Sequence, residues 1–289
     1  MAEQESELVL SSNGSVYHLH LREEHVADNV ILVGDPGRVE TVSSFFDDIE
    51  YRISNREFTT HTGTYKGLRV TALSTGIGTD NIDIVVNELD AAVNMDLQTR
   101  QPKDQLRKLN LIRLGTCGAL QEDLRVESTV VTEFSIGLDG IRHFYKIEPD
   151  FREKRLETDF LEFMDMDEQM NNPYATVVDP DLLSKFQSLG NCGITIAANG
   201  FFGPQGRTIR LPLANPRINE LLSRFQYGNL RVLNYEMESS ALYSLGKALG
   251  HRCLCMCVVV ANRSAGKFSK DYHPAVHDLI ESCLNKLAT

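Results

Sequence analysis

The stretch Leu109-Asn-Leu-Ile-Arg-Leu-Gly-Thr-Cys-Gly118 carries one arginine, Arg113, inside an apolar run that ends in small residues. A continuous apolar run of this kind predicts a strand that is buried on both faces. The small residues after it predict a tight turn, whose backbone N–H groups and Thr116 hydroxyl would lie beside the guanidinium. Such a group of donors suits an anion. A central strand with an ordinary turn, and an arginine paired to an acid, is the open alternative.

Composition excludes several classes of protein. The 289 residues are 42% hydrophobic and 24% charged, as in an ordinary globular domain. The net charge is −11 and no basic run stands out, so we expect no nucleic-acid partner. No stretch reaches the ~18 continuous apolar residues of a spanning helix, and the acidic first residues do not resemble a signal peptide. We predict a cytoplasmic protein with no membrane association and with reduced cysteines in its core.

Predicted strands and helices alternate along the chain, which is typical of an α/β fold. Residues 1–15 are predicted to form a mobile tail, and residues 16–289 a single domain. Residues 146–172 are dense in charge and predict a partly helical surface insertion. Polar motifs recur where strands end, and in α/β sheets ligands bind at that edge.

Two of these motifs contain glycine pairs. Gly34-Asp-Pro-Gly-Arg38 follows a predicted strand and opens a predicted helix, so its backbone can approach an oxyanion while Arg38 adds a charge-assisted bond. An ordinary turn with a surface arginine is the alternative. Gly76-Ile-Gly-Thr-Asp-Asn81 has Asn81 where a dinucleotide-binding fingerprint has its third glycine, so we do not expect NAD.

Five motifs together are more specific than any one of them. They are Gly34-Asp-Pro-Gly-Arg38, Arg56-Glu-Phe-Thr-Thr60, Ser74-Thr-Gly-Ile-Gly78, Arg113-Leu-Gly-Thr-Cys-Gly118 and Asn234-Tyr-Glu-Met-Glu-Ser239. From about Tyr17 to Arg263 the sequence resembles the nucleoside phosphorylase-I superfamily, and within it the uridine phosphorylases. The resemblance implies a three-layer α/β/α domain with a mixed, partly barrel-like central sheet.

The resemblance also implies where phosphate binds. In that family the first turn, a strand-end arginine and a threonine grip it, and these match Gly34, Arg38, Arg113 and Thr116. A further arginine comes from the neighbouring subunit and matches Arg56. The alternative for Arg56 is a hairpin salt bridge with Glu57.

The ribose is implied to lie on Glu236, Met237 and Glu238. Glu238 would accept hydrogen bonds from the sugar hydroxyls and favour the positive charge that develops at C1′. Both acids stand at a predicted helix start, where a capping role would also explain them. His18 matches a family histidine that reaches the 5′-hydroxyl across a dimer interface, although a lone histidine is more often structural.

The base-binding residues are implied to be Phe201, Gln205, Arg207 and Arg263. Phe201 can stack on uracil, Gln205 can both donate and accept, and Arg207 donates to the carbonyl oxygens. The segment departs from the family form at Gly203-Pro204, where proline followed by glycine is expected. Purine-specific relatives place an aspartate near Asn262 to protonate the leaving base. Uracil can instead leave as an anion held by Arg207 and Gln205.

The expected reaction is therefore the phosphate-dependent, reversible cleavage of uridine to uracil and ribose 1-phosphate. Arg113, Glu238, Arg207 and Gln205 would carry the chemistry, with inorganic phosphate as co-substrate and no cofactor. A homodimer would be the smallest active unit, within a hexamer built as a trimer of dimers. A potassium ion at the dimer interface would lie near Glu57, Ile77 and Asn81, although relatives have serine where Asn81 stands.

Other activities stay open on the sequence. They are a phosphorylase for deoxyuridine, thymidine or a purine nucleoside, a phosphate-independent nucleosidase, and a nucleoside-binding protein without catalysis. The sequence does not distinguish ribose from deoxyribose.

Overall fold

A mixed sheet runs through the computed structural model, which describes residues 6–164 and 172–289. The strands are β1 (Asn29–Val33), β2 (Asp48–Asn55), β3 (Phe58–Tyr65), β4 (Leu68–Ser74), β5 (Met95–Asp96), β6 (Gln101–Pro102), β7 (Asn110–Ala119), β8 (Thr129–Gly137), β9 (Tyr174–Val177), β10 (Asn191–Ala197), β11 (Gln226–Tyr227), β12 (Leu230–Glu236), β13 (Arg252–Asn262) and β14 (Lys267–Phe268). The helices are α1 (Pro36–Ser43), α2 (Thr79–Asn94), α3 (Phe151–Met164), α4 (Pro180–Phe186), α5 (Ile218–Arg224), α6 (Ser239–Ala248) and α7 (His273–Leu287).

The sheet contains a closed part and an open part. Its strand order is β11-β12-β10-β8-β13-β7-β1-β4-β3-β2, and β12 also pairs with β7. This extra pairing closes β7, β13, β8, β10 and β12 into a five-stranded barrel. From β7 the sheet continues outward through β1 and β4 to the β2–β3 hairpin. The predicted α/β fold with a mixed, partly barrel-like sheet is confirmed.

Strand β7 lies where the closed and open parts meet. It runs parallel to β1 on one edge and parallel to β13 on the other. Leu111 and Ile112 are fully buried, as the apolar run predicts. The predicted turn at its end is wrong, because β7 continues as strand to Ala119 and pairs with β13 along that length. The backbone there is extended, and the small residues serve the packing of Arg113, described below.

Helices cover the sheet and begin at the ends of strands. Asp35 accepts the N–H of Gly37 (2.9 Å) at the start of α1, directly after β1. Helix α6 packs on β8, β13 and α2, while α7 contacts β7, β13 and α4. The buried face of α2 is formed by Ile82, Val85, Val86 and Leu89, the residues that its helical spacing predicts.

Two predicted segments fall partly outside the described residues. The insertion at 146–172 contains helix α3, which packs against β9, while 165–171 are not described. Of the tail at 1–15, residues 1–5 are not described. Further along it, Leu10 forms an isolated bridge with Val16 and the Leu8 carbonyl accepts from Arg100 Nε at 3.3 Å.

The cysteines behave as core residues. All six are free, and Cys253, Cys255 and Cys257 alternate along β13 in buried positions. Within the described part of the chain, no helix has the length and apolar character needed to span a membrane.

Candidate active site

A gap along one edge of β7 opens the cavity that contains most of the predicted site residues. On this edge β1 pairs with β7 as far as Arg113, and β12 pairs with it only from Gly118 onward. Among the described strands, none pairs with the edge between these two points. A cavity of about 720 Å³ lies there, as expected where neighbouring strands diverge. Its lining includes Gly34, Arg38, Arg113, Thr116, Phe201, Gln205, Arg207, Glu236, Met237, Glu238 and Arg263.

A buried ion pair between Arg113 and Glu238 forms the floor of this cavity. Nη2 of Arg113 donates to Oε2 of Glu238, and the side chains are only 5% and 4% exposed. Oε1 of Glu238 accepts the N–H of Gly78 at 2.8 Å. Burial lowers the pKa of Arg113, but Glu238 together with the smaller contributions of Cys255, Cys257 and Glu236 raises the pKa above its ordinary value. Arg113 is therefore charged.

Arg113 keeps donors for a further partner. Its Nε and Nη1 are buried and make no hydrogen bond within the described residues. A buried donor without an acceptor is unfavourable, so a group of this kind in a cavity indicates a ligand that supplies one. An anion with several oxygens would satisfy both nitrogens.

Gly115 makes room for this guanidinium. A Cβ on Gly115 would lie 2.1 Å from Nη1 of Arg113 and 3.0 Å from Sγ of Cys257. The side chain of Arg113 therefore folds along its own strand, over a position that must carry no side chain. This close approach is the physical reason for the small residue that sequence reasoning assigned to a turn.

Arg38 brings a second guanidinium to the same gap. It projects from α1, and its Nη1 lies 3.5 Å from the carbonyl oxygen of Leu114. Burial, followed by the nearby charge of Arg113, lowers its pKa. Gly34 and Thr116 line the cavity beside it. The predicted phosphate residues of the chain itself are thus brought together around two cations, which favours an anion.

Arg56 and His18 lie outside the cavity, in one surface cluster. Arg56 occupies the β2–β3 turn with φ of +53°, and its Cζ lies 5.7 Å from the ring of Tyr17. Nδ1 of His18 lies 2.6 Å from Oε1 of Glu88. The predicted alternative of an Arg56–Glu57 salt bridge is not formed in the described part of the molecule. Within one chain, neither residue reaches the cavity.

Glu236 has a different environment from Glu238. Its carboxylate accepts the N–H groups of Glu238 (2.9 Å) and Ser239 (3.0 Å) at the start of α6. Burial and the neighbouring charge of Glu238 raise its pKa to about 8. The capping role that the sequence left open is therefore the contact that Glu236 makes. Glu238 makes no capping bond and faces Arg113 instead.

The predicted base-binding residues form a connected cluster at the other end of the cavity. The Arg207 guanidinium lies 3.9 Å from the centre of the Phe201 ring and donates to Oε1 of Gln205. Arg263 Nη2 donates to the backbone carbonyl of Gln205 at 2.5 Å. Burial lowers the pKa of both arginines, and Arg263 lowers that of Arg207 further. Despite the reversed order of Gly203 and Pro204, a short 3₁₀ turn carries Gln205 into the cavity.

Asn262 serves the loop that follows β7 and does not line the cavity. Its Nδ2 donates to the carbonyl oxygens of Gln121 (2.8 Å) and Leu124 (2.6 Å), and its Oδ1 accepts from Ala265 N at 3.0 Å. An aspartate has no N–H groups to donate to these carbonyls. The residue type at 262 is thus explained by loop support, while the use of a missing aspartate to distinguish uracil from a purine stays a prediction.

Several lining residues were missed by sequence reasoning. Val260 and Phe268 belong to none of the five motifs, whereas Cys117 and Tyr235 lie within motifs but were given no role of their own. Phe268 lies on β14, a two-residue strand with no periodic pattern to find. Of the predicted cation ligands, Ile77 lines the cavity, and the side chains of Glu57 and Asn81 both lie against Gly76.

Comparisons with known proteins agree with this geometry. A family model described as the phosphorylase superfamily matches residues 28–288. A uridine phosphorylase of Thermococcus kodakarensis is 29% identical over 274 residues, covering 90% of this chain and 82% of that protein. A DeoD-type purine nucleoside phosphorylase of Oceanobacillus iheyensis is 27% identical, covering 93% and 98%.

A solved structure gives the same result for the fold. It is a nucleoside phosphorylase of Trypanosoma brucei, described as showing uridine phosphorylase activity. The two chains superpose with a TM-score of 0.84 at 29% identity, over 98% of each. The protein belongs to the phosphorylase superfamily. It is a nucleoside phosphorylase-type pentosyltransferase, in a family that binds a nucleoside and phosphate.

Proposed function

We propose that this protein is a uridine phosphorylase, which cleaves uridine with inorganic phosphate to uracil and ribose 1-phosphate, reversibly. The cluster of Phe201, Gln205, Arg207 and Arg263 carries the proposal. It offers an aromatic face beside an amide and two guanidiniums, all within one cavity. Uracil presents two carbonyl oxygens and one N–H, and this set of groups can satisfy all three.

Phosphate would bind between Arg38 and Arg113. Nε and Nη1 of Arg113 have no partner in the described residues and would donate to its oxygens. Thr116 adds a hydroxyl, and Gly34 allows the turn after β1 to approach closely. The two cations would offset the charge of the anion and hold it on the side of the ribose opposite the base.

Glu238 would face the sugar. Its buried carboxylate stabilises the positive charge that develops at C1′ as the bond to the base breaks, and it accepts hydrogen bonds from the hydroxyls. Met237 packs on the sugar ring. Because Arg207 and Gln205 hold the carbonyl oxygens, uracil would depart as an anion, and no general acid is required.

The active unit would be a homodimer within a hexamer built as a trimer of dimers. His18 and Arg56 lie together around Tyr17, so one surface could deliver both to a neighbouring cavity. A potassium ion near Glu57, Ile77 and Asn81 is compatible with this interface, and no step of the reaction passes through it. The protein would act in the cytoplasm without a cofactor.

One assay tests the assignment. Release of free base is measured from uridine, thymidine and inosine, each with and without phosphate. We expect turnover of uridine that depends on phosphate. Release without phosphate would indicate a nucleosidase, preference for inosine would indicate a purine enzyme, and binding without turnover would indicate a nucleoside-binding protein.

A further inference from the structure

The start of helix α6 departs from the usual capping arrangement. In most helices the side chain of the N-cap residue accepts the N–H of the second or third helical residue. Here the N-cap residue is Glu238, and its side chain makes no such bond. Its carboxylate instead accepts from Gly78 N (2.8 Å), Met237 N (3.2 Å) and the Arg113 guanidinium.

Glu236, two residues earlier, satisfies the helix start in its place. Its Oε2 accepts from Glu238 N at 2.9 Å and from Ser239 N at 3.0 Å. Its Oε1 lies 2.5 Å from the Ser239 hydroxyl. The residue is 3% exposed, and both of its carboxylate oxygens are engaged by groups of this chain.

The Glu236 contacts are anchored in the barrel. The Ser239 hydroxyl, which meets Glu236, also lies 2.7 Å from the hydroxyl of Ser135 on β8. Both serines are fully buried. The contacts therefore fix the chain between β12 and α6 relative to the sheet that carries Arg113.

We propose that Glu236 is a positioning residue, which occupies the N–H groups at the start of α6 so that the Glu238 carboxylate stays turned into the cavity toward Arg113. This role rests on the proposed function and replaces the expected contact of Glu236 with ribose. Without the Glu236 carboxylate, Glu238 N and Ser239 N lose their acceptor, and buried unpaired N–H groups are costly. The Glu238 carboxylate is then the adjacent acceptor, and capping the helix takes it away from Arg113.

A series of four variants tests this role. E236A removes the acceptor, whereas E236Q retains an amide oxygen for the N–H groups and an NH₂ group for the Ser239 hydroxyl. S239A removes the link to β8. S240A is the matched control, because Ser240 is equally buried at the same helix start but donates to Asp139 Oδ2 (2.7 Å) and not to Glu236.

The activity measurement is kcat/KM for uridine and for 2′-deoxyuridine. We expect E236A to lower both about 100-fold, the effect of displacing a reacting group by roughly 1 Å. S239A should lower both by less, E236Q should restore most of the loss, and S240A should leave both unchanged. A loss confined to uridine would show that Glu236 binds the 2′-hydroxyl directly and would overturn the proposal.

A crystal structure of ligand-free E236A decides the question without any assay. We expect the Glu238 carboxylate to accept the N–H of Ser239, which has lost Glu236, and to leave Arg113. If the Arg113–Glu238 pair persists, the proposal is wrong. Should E236A not fold, the same comparison is made with S239A and S240A. An inactive wild-type enzyme would refute the proposed function and leave this structural result to stand on its own.

Discussion

The two ends of the cavity are built in different ways. At the phosphate end, Arg113 lies in a central strand and is 5% exposed, with its guanidinium held by Glu238. At the base end, Phe201 is 52% exposed and belongs to an irregular connection between β10 and α5. The position of Arg113 is fixed by the register of the sheet, whereas the position of Phe201 is fixed by contacts within a loop. Under the proposed function, phosphate is held by residues of the sheet and its strand ends, and the base is held by residues of a loop.

The largest expected effect is at the phosphate end. R113A leaves the Glu238 carboxylate buried without its cation, which costs about 3–5 kcal/mol of stability. It also removes the donors for phosphate, so kcat/KM should fall by about 10²–10³-fold. Denaturant unfolding and phosphorolysis measure the two effects.

R142A is the matched control for this change. Arg142 forms another buried pair, 2.6 Å from Glu157, away from the cavity. The R142A variant should be less stable than the wild type but should have the same kcat/KM per folded molecule. Equal loss of activity in both variants would show that R113A acts through folding alone.

The next largest effect is expected at Gly115, over which the Arg113 guanidinium lies. G115A places a methyl group where Nη1 lies, so the guanidinium must shift and phosphate affinity should fall about tenfold, together with about 1–3 kcal/mol of stability. Titration with phosphate measures this. G118A is the control in the same strand, because its Cβ would meet Arg207 Nη2 at an ordinary 3.6 Å. If G118A weakens phosphate binding as much, steric crowding of Arg113 is not the cause.

A third change tests the independence of the base end. R207A should lower kcat/KM for uridine by about 10²-fold, because the uracil anion loses a donor, while phosphate affinity changes little. R210A, an exposed arginine three residues further along the same loop, should have no effect. An equal loss of phosphate binding and uridine turnover in R207A would contradict the assignment of this end to the base.

The last prediction is a dependence of stability on pH. The pKa of Glu236 is raised to about 8 by burial and the Glu238 charge, from about 4.5 in the unfolded chain. The folded state therefore binds the proton more tightly, so this contribution to stability is present at low pH and is lost as pH rises toward 8. The wild-type melting temperature should fall relative to that of E236Q between about pH 5 and pH 8.

Equal slopes in the two proteins over that range would contradict the raised pKa of Glu236. The other ionisable groups beside it, Glu238, Arg113 and Cys257, are present in both proteins. The difference between the slopes therefore reports the titration of Glu236 together with its coupling to these groups.

Much of the fold could be read from local pattern. The strand Asn29–Val33 follows from a continuous apolar run, because both of its faces are buried. The buried face of α2 follows from the helical spacing of its apolar residues, because only one face is buried. The β9 strand, only four residues long within a charged region, gives no such signal. The small residues Gly115–Gly118 led to a wrong prediction of a turn. Small residues occur in turns, but they also occur in strands where a neighbouring side chain lies across the backbone.

The candidate site, like the fold, was predicted from the sequence only in part. Gly34, Arg38, Arg113 and Thr116 were assigned to one site through the resemblance of their motifs, and all four line the cavity. Gly34 and Arg38 follow β1, whereas Arg113 and Thr116 lie within β7. The sequence did not predict that Arg113 pairs with Glu238, a residue 125 positions away. Nor could it assign the Asn262 side chain to a loop, because a side chain's direction depends on its neighbours in space.

The sequence by itself thus determined the alternation of strands and helices, the motifs at strand ends and the family. These depend on periods and spacings of a few residues. Only the tertiary structure decided that Glu238 faces the cavity while Glu236 holds the helix. The two acids stand two residues apart at the same helix start, and what separates their roles is the position of Arg113 on β7 and of Ser135 on β8.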